Sequence, residues 1–205
     1  MSADRRRDQI LDATRTIVDT EGFAAVTITR VAEAAGITRT LVYHQFTDLP
    51  GLLTALIDRE AERAMAGLLT VIAETPPAGR DPFTAALQGL ISAADADPAA
   101  WRMFLMPSEG GPPELYERID QGRALGRARI IEMLTTPDHP VPTGPDPSLT
   151  VHLLHLVGDE LLRLHLQDPQ TYPADRILAQ CAHMAAQLSL PPSPGHGHAL
   201  PAGRT

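Results

Sequence analysis

With 205 residues, 43% of them hydrophobic and 20% charged, the chain can bury a sizeable core, as one large domain or a small one plus a larger one, and disorder throughout is excluded. A net charge of −8, from 25 acids against 17 arginines and no lysine, excludes a uniformly basic surface. One cysteine, Cys181, excludes an intrachain disulfide and a cysteine-built metal site, and neither a secretion signal nor an apolar run of about 18 residues is present; the expectation is a cytoplasmic protein with no membrane partner.

The charge is unevenly spread. Residues 1–50 carry six arginines and seven acids, the rest eleven and eighteen, so most of the acidity lies beyond the N-terminal part. Residues 4–21 read as an amphipathic helix, with Ile10, Ala13, Thr14, Ile17 and Val18 at helical spacing and Gly22 as the stop. Phe23 and Val26 sit in a short connection beneath it. Thr27 is an N-cap for a second helix whose apolar face is Ile28, Val31, Ala32 and Ala35. Gly36 ends that helix, because the tight turn wants a residue that tolerates positive φ. Thr38 caps a third, RTLVYHQF, with Leu41, Val42 and Phe46 facing inward, and Asp48 caps a fourth, running to about residue 73 with Pro50 in its first turn.

After the breaker TPPAG, helical patterns return at about 81–96, 98–106, 113–135, 147–167 and 174–189, with no convincing strand alternation. The expected fold is therefore all-α, with about nine helices. Residues 191–205, rich in Pro, Gly and His, are expected to be a disordered tail.

Residues 27–46, TITRVAEAAGITRTLVYHQF, have the layout of a helix-turn-helix: two short capped helices around a glycine turn, held by apolar positions that leave one side of the second helix free. Such a helix fits a major groove about 12 Å wide, with its N-terminal residues at base edges. Over about residues 8–57 the sequence resembles the TetR family of regulators. Thr27 matches the threonine before the first motif helix, Val31-Ala32 the hydrophobic-Ala pair, and Ala35-Gly36-Ile37-Thr38 the turn. Leu41-Val42-Tyr43-His44-Gln45-Phe46 resembles the end of the family's recognition helix, and Leu52 and Leu53 fit the start of its long linker helix. Leu49 stands where the family usually has a phosphate-contacting lysine, and Gln45 where an aromatic is common.

The resemblance implies a three-helix DNA-binding domain over 1–47 and a helical ligand-binding and dimerisation domain over 48–190. It implies a palindromic double-stranded operator, a small-molecule effector of unknown identity, a homodimer, and a repressor that the effector releases. Arg39 and Thr40, at the start of the recognition helix, are the candidate base-reading residues; Thr27, Arg30, Thr38, Tyr43 and His44 are candidate phosphate contacts. Arg5, Arg6 and Arg7 read either as a solvated terminus or as an arm along the DNA.

Trp101, Met103, Phe104, Met106, Tyr116 and Met133 are the large, adaptable side chains available to line an effector pocket, although such residues fill cores equally well. Val151, Leu154, Leu161 and Leu162, with Ile177, Cys181, Met184 and Leu188, form two apolar stripes expected at the dimer interface, again with plain core as the alternative. His152, His155 and Asp159 share helical spacing, but histidines of the core or surface account for them better than a metal site does. No nucleophile motif, zinc-binding HExxH or phosphate-cradling loop is present, so no catalytic residue, cofactor or metal is expected. The competing function is a helical interaction protein whose helix-turn-helix no longer binds DNA, which Leu49 and the weak N-terminal charge would favour.

Overall fold

A computed structural model describes residues 3–73, 81–135 and 146–188, apart from the side chains of Ile72, Met133 and Leu188. The expected tail, with His196 and His198, lies outside the described residues. Among the described residues all regular structure is helical: α1 (Ala3–Glu21), a 3₁₀ turn (Phe23–Ala25), α2 (Ile28–Ala35), α3 (Arg39–Phe46), α4 (Leu49–Ala73), α5 (Pro82–Ala96), α6 (Pro98–Leu105), α7 (Pro113–Leu134), α8 (Pro147–Gln167) and α9 (Ala174–Leu188).

The helix starts are fixed by local chemistry. Asp81-Pro82, Asp97-Pro98 and Asp146-Pro147 each open a helix, the aspartate accepting from a first-turn N–H and the proline occupying the first turn. A proline there sacrifices only an N–H that would have no helical partner. Thr27 and Thr38 accept from Arg30 N at 3.1 Å and Leu41 N at 3.4 Å, and Asp48 accepts from Gly51 N at 2.8 Å. Gly36 takes the left-handed conformation, φ 65°, which lets Ile37 N donate back to Ala32 O at 2.9 Å.

One hydrophobic core joins α1–α3 and the first half of α4, through Ile10, Ile17, Val31, Val42, Leu52 and Leu56, and it also takes in Met103 of α6 and Leu115 and Ile119 of α7. A second core lies between α5, α6, α8 and α9, around Leu87, Ile91, Trp101, Leu162 and Ile177.

Charged groups reinforce the junction. Glu60 of α4 is fully buried, with its carboxylate 3.1 Å from Arg15 of α1, 2.8 Å from Arg59 and 3.4 Å from Arg63. Arg59 also pairs with Asp12 at 2.9 Å, and Arg15 with Asp97 at the head of α6. Further along α6, Arg102 grips Asp19 of α1 through two hydrogen bonds of 2.8 Å.

In the second core the buried His165 of α8 places one ring nitrogen 2.9 Å from the Asp95 carboxylate and the other 2.9 Å from the Tyr172 carbonyl. Burial pushes the imidazole pKa down, but the Tyr172 carbonyl and the Asp95 carboxylate favour the doubly protonated ring, and the net shift is up. A raised histidine pKa stabilises the fold below the unfolded value of about 6.5, and that gain is lost as pH rises through the folded value. His165→Gln is therefore expected to lower the melting temperature more at pH 6 than at pH 9. An equal drop at both would show that the charged form is not favoured.

Candidate nucleic-acid interface and internal cavity

Helix α3 divides lengthwise into two halves. Val42 and Phe46 are buried, Leu41 and Gln45 partly so, while Arg39, Thr40, Tyr43 and His44 are exposed on the opposite side. The division follows from 3.6-residue periodicity: positions 39, 40, 43 and 44 fall within one arc of the helix, and 41, 42, 45 and 46 within the other. Thr27 and Thr38 combine capping with exposure, so each presents a hydroxyl beside a helix N-terminus, where the dipole favours an anion. Arg30 is exposed but engaged with Glu21 at 2.7 Å.

The N-terminal arginines do not form a separate arm, since residues 5–7 lie within α1. Arg7 donates to the Gln45 carbonyl at 3.4 Å and stacks over Phe46, its guanidinium 4.5 Å from the ring centroid. It thus sits at the C-terminal end of α3, where a cation suits the dipole. Gln9 donates to the Ala35 carbonyl at 2.7 Å. Sequence reasoning missed both anchors, because neither residue interrupts the apolar pattern.

The turn after α3 is unusual. Thr47 has φ 65° and ψ −54°, and Asp48 N donates to Phe46 O at 2.6 Å, closing a classic-type γ-turn. A β-branched residue at positive φ is strained. The strain sits between α3 and the long α4.

Helices α4 to α8 enclose a cavity of about 230 Å³. Of the six side chains expected to line it, Trp101 and Phe104 do. Met103 points to the other side of α6, into the core shared with α1–α4, and Met106 borders a second depression against α1. Tyr116 is exposed, facing away on α7, and the Met133 side chain lies outside the described residues. A short helix such as α6 spreads its residues over all faces, and the sequence does not say which one the cavity takes. The wall is otherwise apolar, with polar groups from Arg118, Gln121, Arg123 and Arg129 of α7 and from His155 and Asp159 of α8.

His155 Nε2 lies 3.5 Å from Asp159 Oδ2. Burial pushes the imidazole pKa down and the carboxyl pKa up, so both charged forms are disfavoured. His152, the third member of that spacing, is exposed, with Nδ1 3.0 Å from Ser148 O. Among the described residues no group of three such side chains could hold a metal ion. Burial also raises the pKa of the Cys181 thiol, which disfavours the reactive thiolate.

The apolar stripes expected at a dimer interface require correction. Val151, Leu162, Ile177 and Cys181 are buried within the single chain, and Leu154 and Leu161 pack against its cores. Met184 is exposed, and the Leu188 side chain lies outside the described residues. Helix α8 in fact carries a second stripe on its far side, where Leu149, Leu153, Leu156 and Val157 are exposed, Leu156 at 65%. Both stripes have helical spacing, and only packing decides which one faces out. No helix among the described residues is long and apolar enough to cross a membrane.

Comparison with known proteins agrees with this geometry. Residues 10–56 match the family model for bacterial regulatory proteins of the tetR family. Over 103 residues, 49% of this chain and 51% of the relative, the sequence is 32% identical to the HTH-type transcriptional regulator BetI of Stenotrophomonas maltophilia. Over 57 residues, 28% of this chain and 27% of the relative, it is 40% identical to the HTH-type transcriptional regulator AlkX of Mycobacterium tuberculosis. The chain thus spans about half the length of the first of these relatives and about a quarter of the second. A crystal structure of a tetR-family transcriptional regulator from Streptomyces coelicolor superposes with a TM-score of 0.63 at 20% identity, covering 92% of this chain and 82% of that one, a likeness of fold.

Proposed function

We propose, from N-terminal helices that match the family model for bacterial regulatory proteins of the tetR family, that this chain is a ligand-responsive DNA-binding transcriptional regulator, a repressor that a small molecule releases from its operator. The observation that carries the reading is the exposed half of α3, where Arg39, Thr40, Tyr43 and His44 stand together while the opposite half is locked into the core. Residues 1–47 act as the DNA-binding unit and 48–190 as the sensing and dimerising unit. Arg39 and Thr40 read base edges; Thr27, Thr38, Tyr43, His44 and Arg30 fix the register on phosphates, Arg30 exchanging Glu21 for a phosphate oxygen.

Reading a palindrome needs two recognition helices about 34–36 Å apart, or a multiple of that, and so a homodimer. A second copy of this chain suits the outer stripe of α8, since four exposed apolar residues at helical spacing match the ridge of an identical helix across a twofold axis. Leu156→Glu, at the centre of the stripe, is expected to yield monomers by sedimentation velocity with the helical content unchanged. A variant that remained dimeric would place the interface elsewhere.

Release follows when the ligand binds a form whose recognition helices are badly spaced for the operator; a ligand that bound both forms equally would release nothing. Helix α6 supports such coupling. Trp101 and Phe104 face the cavity, while Asp97 and Arg102 are tied to α1.

The test is anisotropy of a labelled duplex from the intergenic DNA upstream of the gene, at two salt concentrations, with unrelated duplex as competitor. Competitor-resistant binding that weakens with salt is expected. Failure there, followed by failure to select any binding site from genomic fragments, would overturn the regulator reading in favour of a scaffold that no longer reads DNA.

A further inference from the structure

The cavity wall is mostly apolar, with one polar stretch where α7 lies against His155 of α8. The cavity's depth is apolar, around Trp101 and Phe104, and the His155–Asp159 pair is buried far enough that added charge is unwelcome there. Arginines of α7 stand beside that pair, Arg123 close enough to act on both His155 and Asp159, and they differ in how firmly they are held. Arg118 is 2.6 Å from Asp58 and Arg129 3.1 Å from Glu132, whereas Arg123 has Asp120 only at 3.9 Å and is half exposed at the open side. Arg123 is thus a cation at the cavity mouth whose ion-pair partner Asp120 is loosely placed and whose other acidic neighbour, Asp159, is held toward its neutral form by burial.

Gly122 supplies an independent observation. It lies in the interior of α7 on the cavity wall, where a glycine costs roughly 1 kcal/mol against alanine. No close approach requires it, since a Cβ there would meet nothing within 4 Å. What the missing side chain secures is open volume next to Arg123. A cavity of about 150 Å³ takes benzene, so about 230 Å³ suits a two-ring aryl group or a medium-length acyl chain.

We propose that the cavity binds an organic monocarboxylate amphiphile, with its apolar body against Trp101 and Phe104 and its carboxylate on the Arg123 guanidinium. The inference rests on the reading of this chain as ligand-responsive and adds the class of ligand. A carboxylate offers arginine a two-point, charge-assisted contact that Asp120 does not provide. A cationic amphiphile would set its charge against Arg123 and Arg129, and a neutral one would leave the mouth unused.

The chain has one tryptophan, so Trp101 fluorescence reports the cavity without ambiguity. The full chain, without DNA, is titrated with decanoate and decylammonium below their micellar concentrations and with decan-1-ol below its solubility limit. Decanoate is expected to saturate with a Kd at least tenfold below that of decanol, and decylammonium to bind most weakly. Arg123→Gln is expected to bring decanoate to the level of decanol and leave decanol unchanged. Gly122→Leu is expected to abolish binding of all three with helical content and melting temperature maintained, since leucine is the better helix former. Decanol or decylammonium binding as tightly as decanoate would overturn the proposal. So would the absence of any binding, an unchanged decanoate affinity in Arg123→Gln, or intact binding in Gly122→Leu. Saturable decanoate binding that leaves operator affinity unchanged would keep the ligand class and overturn the ligand-responsive reading instead.

Discussion

Glu60→Ala is expected to destabilise the fold by about 3 kcal/mol or more, the range for removing one partner of a buried ion pair. The carboxylate is fully buried, and its nearest cations, Arg15 and Arg59, have side chains only 22% and 15% exposed. Truncation leaves these guanidiniums facing a void with like charges for neighbours. Arg15 keeps Asp97 and Arg59 keeps Asp12, which holds the loss near the lower end of that range. For a chain of this size about 3 kcal/mol lowers the melting temperature by roughly 6–12 °C. Glu60→Gln retains the volume and two acceptor or donor positions, and its loss is smaller. Chemical denaturation decides the matter: a change below 1 kcal/mol in Glu60→Ala would show that water takes the place of the carboxylate.

Arg39→Ala is expected to weaken operator binding by at least about 30-fold. A bidentate arginine–guanine contact discriminates by about 1–3 kcal/mol. A dimer makes that contact once in each half-site, and contacts so far apart add, giving about 2–6 kcal/mol in all. The loss carries a signature. Arg39→Ala should relax preference at one base pair per half-site, whereas Tyr43→Phe, which removes the hydroxyl proposed to meet a phosphate, should weaken binding to all sequences evenly. Competition with operators altered one base pair at a time separates the two. Uniform weakening by Arg39→Ala would move that residue from bases to backbone.

The helices were readable because their punctuation is local. Threonine before an apolar run and glycine after one act through bonds to backbone a few residues away, as Thr27, Thr38 and Gly36 do. The exposed half of α3 was readable for a related reason, since a two-residue apolar step leaves its complement outside. Facing in the C-terminal helices was not. Helix α8 has apolar residues on both sides, and whether Leu154 or Leu156 turns inward depends on where α5 and α7 pack, which no single helix encodes. Glu60 did leave a trace: it falls in step with Leu52 and Leu56 at i+8 and i+4, a carboxylate on an apolar stripe. Its partner Arg15 lies 45 positions away in the chain, and nothing in the sequence marks that pairing.

The core beneath α1–α3 draws Met103, Leu115 and Ile119 from well beyond the strained turn at Thr47. A graft of residues 1–47 onto a foreign sensor would therefore arrive with its floor missing. Such a graft would need the recipient to supply matching volume from its own sixth and seventh helices. The boundary between the two parts of this chain is a buried surface, and no peptide bond marks it.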